Sequence, residues 1–166
     1  MFIPIIATVV MLLVILAFMS SSVNVVNATE IKMAFEKVKY SFSTEKVIFE
    51  AVENLCQKNP VLCQSKYIDN KITLSSSDLV GYIPVNFDYT NLIGGVYSGI
   101  QIIDNNTTIR ITHNVPSTVS RNVYLNHYSG KEFGISPKCV SGVSPCDSEF
   151  VYHDYPTSLY TRSALE

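Results

Sequence analysis

The apolar and polar positions divide this chain into three stretches. From Phe2 to Met19 the run FIPIIATVVMLLVILAFM holds one polar side chain, Thr8, and no charge. Extended through Val23 it would rise about 33 Å as a helix, enough for a hydrocarbon core of about 30 Å. Pro4 falls in the first turn, where its missing N–H costs little. Between Pro4 and Pro60 there is no Gly or Pro, so nothing breaks a helix over that length. From Ala28 the pattern turns amphipathic. Ala28, Ile31, Phe35, Val38, Phe42, Phe49, Val52 and Cys56 follow steps of three and four residues, and only Glu45 interrupts the row. Lys32, Glu36, Lys37, Lys39, Lys46, Glu50 and Glu53 fall off it, as a solvated face should. Asn59 before Pro60 is pushed out of the α region and ends the helix. The pattern predicts one helix of about 55 residues, roughly 80 Å long, with a packing seam of Ile31, Phe35, Val38, Phe42, Phe49 and Val52.

After Pro60 the chain reads as strands and turns. Lys71–Leu74 and Leu79–Val85 are short β-like runs, and GIQIIDNNTTIRITH is the clearest hairpin signal. Centring a two-residue turn on Asn105-Asn106, where positive φ is tolerated, pairs Ile102 with Ile109 and Ile100 with Ile111. Those four isoleucines share one face, the core face of the hairpin, and Gln101, Arg110 and Thr112 share the other, with Ile103 as its one apolar exception. The helix seam is the partner expected for the isoleucine face. Asn122–Leu125, Phe133–Ile135 and Phe150–His153 are weaker strand candidates, and the polar tail from Pro156 to Glu166 is expected to be loosely held. The fold class is therefore α+β, a long N-terminal helix on a small antiparallel sheet. Residues 1–27 form the membrane half of the helix, 28–59 its amphipathic half, and 60–166 the sheet domain with a cysteine-bounded C-terminal loop.

Charge and composition narrow the functions. Among 166 residues, 12 Lys and Arg oppose 14 Asp and Glu, and the net charge of −2 leaves no basic footprint for nucleic acid. The four cysteines form two C-x6-C pairs, CQKNPVLC and CVSGVSPC. Three connectivities are open; local pairing of Cys56 with Cys63 and Cys139 with Cys146 is the cheapest sterically. A zinc site completed by His113, His127 or His153 is the rival, although six intervening residues exceed the usual knuckle spacing. Oxidised cysteines would place the domain outside the cytoplasm. His127-Tyr128-Ser129 and Tyr152-His153-Asp154 bring histidines near hydroxyl and carboxylate groups, but neighbours in a strand point to opposite faces. His113 extends the hairpin face and reads as a rim residue. Ile93-Gly94-Gly95 lacks the lysine and helix context of a phosphate loop. No catalytic residue, cofactor or metal is expected, and the chain does not read as an enzyme. The sequons at Asn27 and Asn105-Asn106 read as accidental, the second being explained by the turn.

An apolar N-terminal helix running into an amphipathic half, then an antiparallel sheet and a cysteine-bounded loop, resembles the type IV pilins and pseudopilins. Met1 opening the apolar run is similar to the type IVb subgroup. Ile5 stands where the mature pilins carry Glu, which resembles a minor or tip subunit, or a small accessory protein of a conjugative thin pilus. The resemblance implies a single-pass bacterial inner-membrane protein with its C-terminal domain in the periplasm, incorporated in or assisting a surface pilus. Its partners would be other pilin-like subunits, pilus assembly proteins and, through the first helix, the lipid bilayer. The alternative is a Sec-exported soluble periplasmic or extracellular binding module. In that reading residues 1–28 are a signal peptide cut after Ala28, with Val26 and Ala28 at the small-residue positions.

Overall fold

The computed structural model describes residues 3–90, 95–126, 135–143 and 146–165, with 3–10, 12–27, 135 and 136 as backbone only. A helix, α1, runs from Ile3 to Lys58, followed by a short α2 from Pro60 to Ser65. Asn59 ends the first helix and caps the second, its side chain accepting from the Leu62 N–H. Two strands follow, β1 (Tyr67–Ile68) and β2 (Lys71–Leu74), then a 3-10 turn over Ser76–Leu79. Next come β3 (Tyr97–Ile103), β4 (Thr108–Asn114), α3 (Thr118–Asn126), β5 (Ile135–Cys139), β6 (Phe150–Pro156) and α4 (Leu159–Leu165). The chain divides into two compact units, residues 1–33 and 34–166. The first is helical over its described residues.

In the second unit the strands form one six-stranded antiparallel sheet, ordered β1-β2-β3-β4-β6-β5. In the central hairpin Ile102 faces Ile109 and Ile100 faces Ile111. Asn105 and Asn106 both take positive φ, as does Asp104, and the Thr107 N–H closes the turn on the Asp104 carbonyl. The four isoleucines are buried together with Ile48, Val52 and Leu55 of α1. Burial of these branched side chains holds helix to sheet. A second apolar group gathers Ala34 and Val38 of α1 with Val115, Val123, Tyr124 and Val151.

The helix face that enters the core differs from the expected seam. Its buried row is Ala34, Val38, Ser41, Glu45, Ile48, Val52 and Leu55, alternating four- and three-residue steps. Val38, Phe49 and Val52 are buried, Phe42 is half-buried, and Ile31 and Phe35 are exposed at 50% and 42%. The expected row followed the large apolar residues. The true face is turned toward Ala34 and Ser41, both of them buried. Glu45, read as an interruption, lies in the middle of this face, and Glu53, placed on the solvated side, is buried as well.

Other expectations are also corrected. Leu79–Val85 is a turn and loop with a Val80–Ile83 bridge and with the Tyr82 and Ile83 N–H groups donating to the Leu79 carbonyl, since Gly81 takes a positive φ and Pro84 cannot donate to a ladder. Asn122–Leu125 lies within α3. Phe133 and Gly134 lie outside the described residues, and β5 starts at Ile135. The C-terminal tail is an extension of β6 and a helix, with Thr157, Thr161 and Leu165 buried. Among the described residues no helix is long and apolar enough to cross a membrane. From Ala28 onward α1 carries Glu30, Lys32, Glu36, Lys37 and Lys39, each costing about 2.5–3.5 kcal/mol at mid-bilayer. This finding overturns the single-pass inner-membrane placement.

Candidate functional site

The two apolar groups of the second unit are separated by a polar cluster centred on Glu45. This residue is fully buried, as are His113 on β4 and His153 on β6. The alternation that puts Ile109 and Ile111 on the core face carries on to His113, and Val151, His153 and Tyr155 share the equivalent face of β6. His113 is thus a core residue, not a rim residue. Tyr124 reaches the cluster from α3 and Tyr97 from β3.

The carboxylate of Glu45 is surrounded by donors. Tyr124 Oη donates to Oε1 at 2.7 Å, and Tyr155 Oη donates to Oε2 at 2.5 Å. His153 Nδ1 lies 2.7 Å from Oε2. His113 Nε2 lies 2.6 Å from Tyr124 Oη and 3.2 Å from Glu45 Oε1. Because the Tyr124 proton is committed to Glu45, the short contact between His113 and Tyr124 requires a proton on Nε2. By the same reasoning His153 carries its proton on Nδ1. Burial alone would push the Glu45 carboxyl up, but the hydrogen bonds from both histidines and their charge outweigh it and hold the group well below the usual carboxylate range. The buried phenol of Tyr124 is pushed up, first by burial and then by the negative charge of Glu45.

Rings seal the cluster. Phe42 stacks on Tyr124 with centroids 4.9 Å apart, and Tyr97 stacks on His113 at 5.3 Å. The Tyr97 hydroxyl donates back to the Ser41 carbonyl on α1. Glu45 therefore ties α1 to β4, β6 and α3 through groups that have almost no exposed surface. What this arrangement can do is fix the helix in register and rotation on the sheet.

A second buried carboxylate holds the C-terminus. Glu53 Oε1 accepts from the Ser158 N–H at 2.8 Å, and Oε2 accepts from the hydroxyls of Ser158 at 2.5 Å and Thr161 at 2.8 Å. A carboxylate from α1 thereby satisfies free N–H and hydroxyl groups at the start of α4. On the outer sheet face Arg110 makes a bidentate pair with Asp154, at 2.7 and 2.8 Å, and lies 4.0 Å from the centre of the Tyr152 ring.

The cysteines form two local disulfides, Cys56–Cys63 and Cys139–Cys146. The zinc alternative does not form, because all four thiols are bonded to one another. Among the described residues no group of three or more His, Cys, Asp or Glu is placed to hold a metal ion. His127 lies outside the described residues, as do Ile93 and Gly94.

No family model, curated protein or solved structure matches this chain. Among the described residues, two recesses can be named that are open to solvent. One, of about 310 Å³, lies between α3, β5 and the Cys139–Cys146 loop, lined by Asn122, Leu125, Asn126, Lys138, Val143 and Tyr152 among others. The other, of about 380 Å³, is formed by the loop from Val80 to Tyr89. The first combines amide, hydroxyl and ammonium groups with apolar side chains, the mixture that orients a bound molecule.

The sequence reasoning missed Glu45, Glu53, Tyr97, Tyr124 and Tyr155. A signal for Glu45 was present: a single acid at a core position of an amphipathic helix requires buried donors. His113 and His153, at strand positions in phase with the isoleucine and valine rows, are residues able to supply them.

Proposed function

We propose that this chain is an exported binding module, released by removal of residues 1–28 and acting through contact surfaces rather than catalysis. The observation that carries the reading is where packing begins. Ala28 to Met33 are all exposed, and the first buried side chain among the described residues is Ala34, at the start of the second compact unit. A cut after Ala28 leaves the core of that unit whole. The two disulfides support an oxidising compartment. The recess beside the Cys139–Cys146 loop is the contact site we favour, because it brings polar side chains from three elements together with apolar ones. Determination of the N-terminus of the mature protein tests the proposal: Thr29 is expected, and a mature chain that retains Met1 to Ala28 would refute it.

A second reading, a packing subunit of a pilus-like assembly, draws support from the long helix lying on an antiparallel sheet. It requires the uncut chain in isolated filaments, so the same determination separates the two.

A further inference from the structure

The two disulfides differ in what surrounds them. Cys56 and Cys63 have no exposed surface. Cys139 is nearly buried at 8%, its partner Cys146 is partly exposed, and both line the 310 Å³ recess. Their sulfurs also have different neighbours. Cys139 Sγ lies 3.0 Å from the Ser141 hydroxyl, whereas Cys146 Sγ lies 3.2 Å from the Ser148 carbonyl oxygen. A hydroxyl can donate to a thiolate and stabilise it; a carbonyl oxygen repels one.

We propose that the Cys139–Cys146 bond is a site of thiol–disulfide exchange, modified by a small external thiol on Cys146 with Cys139 as the leaving group. The attacking thiolate enters from the recess and bonds to Cys146 Sγ as the Cys146–Cys139 bond breaks. The electron pair leaves on Cys139 Sγ, and the resulting thiolate accepts a hydrogen bond from the Ser141 O–H. A second molecule of the same thiol, attacking the mixed disulfide, would release Cys146 as a thiolate and carry away the oxidised dithiol, completing a two-electron reduction. Exchange is faster when the leaving thiolate is the more stable one and the attacked sulfur the more accessible. Both conditions select the same direction here. The inner bond, Cys56–Cys63, offers no accessible sulfur and stays closed. Both sulfurs belong to residues that line the recess, so exchange places the added thiol group at its wall.

The experiment treats the folded protein with reduced glutathione, quenches with acid, alkylates free thiols and locates label and adduct by fragmentation mass spectrometry. The expected result is a glutathione adduct on Cys146 and label on Cys139, with Cys56 and Cys63 still joined. An adduct on Cys139, or opening of both pairs at the same thiol concentration, would overturn the proposal. Ser141→Ala provides an independent measurement on a solvent-exposed side chain. Loss of the hydroxyl should slow opening about threefold or more through the poorer leaving group, and an unchanged rate would overturn the assignment of Cys139 as the assisted leaving group.

Discussion

Glu45 is the residue on which the helix–sheet junction turns, and its energetics can be tested directly. Replacing it by Ala removes the acceptor for the hydroxyls of Tyr124 and Tyr155 and for the His153 Nδ1–H, and the carboxylate that faces His113. Removing one partner from a buried charged network costs about 3–5 kcal/mol, and a loss of that size is expected in urea unfolding of Glu45→Ala. The pH dependence has a defined sign. Because the folded protein holds Glu45 below the unfolded value of about 4.3, the unfolded state binds the extra proton first. The stabilisation is present above that pH and is lost as the pH falls below it. The urea midpoint of the wild type should drop in acid, and Glu45→Gln should flatten that drop. Tyr124 works in the opposite direction: its raised phenol pKa stabilises the fold below about pH 10 and ceases to do so above it. At this scale the sequence was half legible. Apolar partners such as Ile102 and Ile109 show themselves by alternation, whereas a buried acid is visible only together with the donors that satisfy it. Those donors lie 79, 108 and 110 residues away in the chain for Tyr124, His153 and Tyr155.

Elements were legible where local rules decide them. The hairpin around Asn105-Asn106 follows from side chains that accept positive φ, and the end of α1 follows from Asn59-Pro60. Misreadings arose where distant contacts decide. Asn122–Leu125 has β-like residues, yet Val123 and Tyr124 are drawn into the core as part of a helix. The C-terminal residues look polar because their partner is Glu53, a polar group on α1. Replacing Glu53 by Ala removes the acceptor for Ser158 and Thr161, a loss comparable to deleting a helix cap, about 1 kcal/mol. Faster hydrogen exchange is expected over Leu159–Leu165, with β3 and β4 unchanged. Gly95 marks another contact that no local pattern reveals. A Cβ at that position would stand 1.6 Å from the backbone oxygen of Asn114, the last residue of β4. An obstacle in the backbone cannot rotate away, so Gly95→Ala should cost about 1–3 kcal/mol and lower the thermal midpoint.

For the whole molecule, the division at residues 33 and 34 sets where stability resides. The second unit contains both apolar groups, both carboxylate clusters and both disulfides. Cys56–Cys63 joins the end of α1 to α2, fixing the helix beside the sheet it packs on; a local link of this kind contributes about 2–3 kcal/mol. The segment from Ala28 to Met33 contributes no buried side chain to this set. The chain from residue 29 to 166 should therefore unfold in one cooperative step. Its stability should lie within about 1 kcal/mol of the longer chain, a shift in thermal midpoint of no more than about 4 °C. Calorimetry on the two chains decides the matter. A larger fall, or a broad transition in the shorter chain, would mean that residues 1–28 supply part of the core, and a binding module released by cleavage after Ala28 would then be excluded on energetic grounds. An unchanged midpoint would show that those residues can be removed without loss to the fold, as removal of a signal peptide requires.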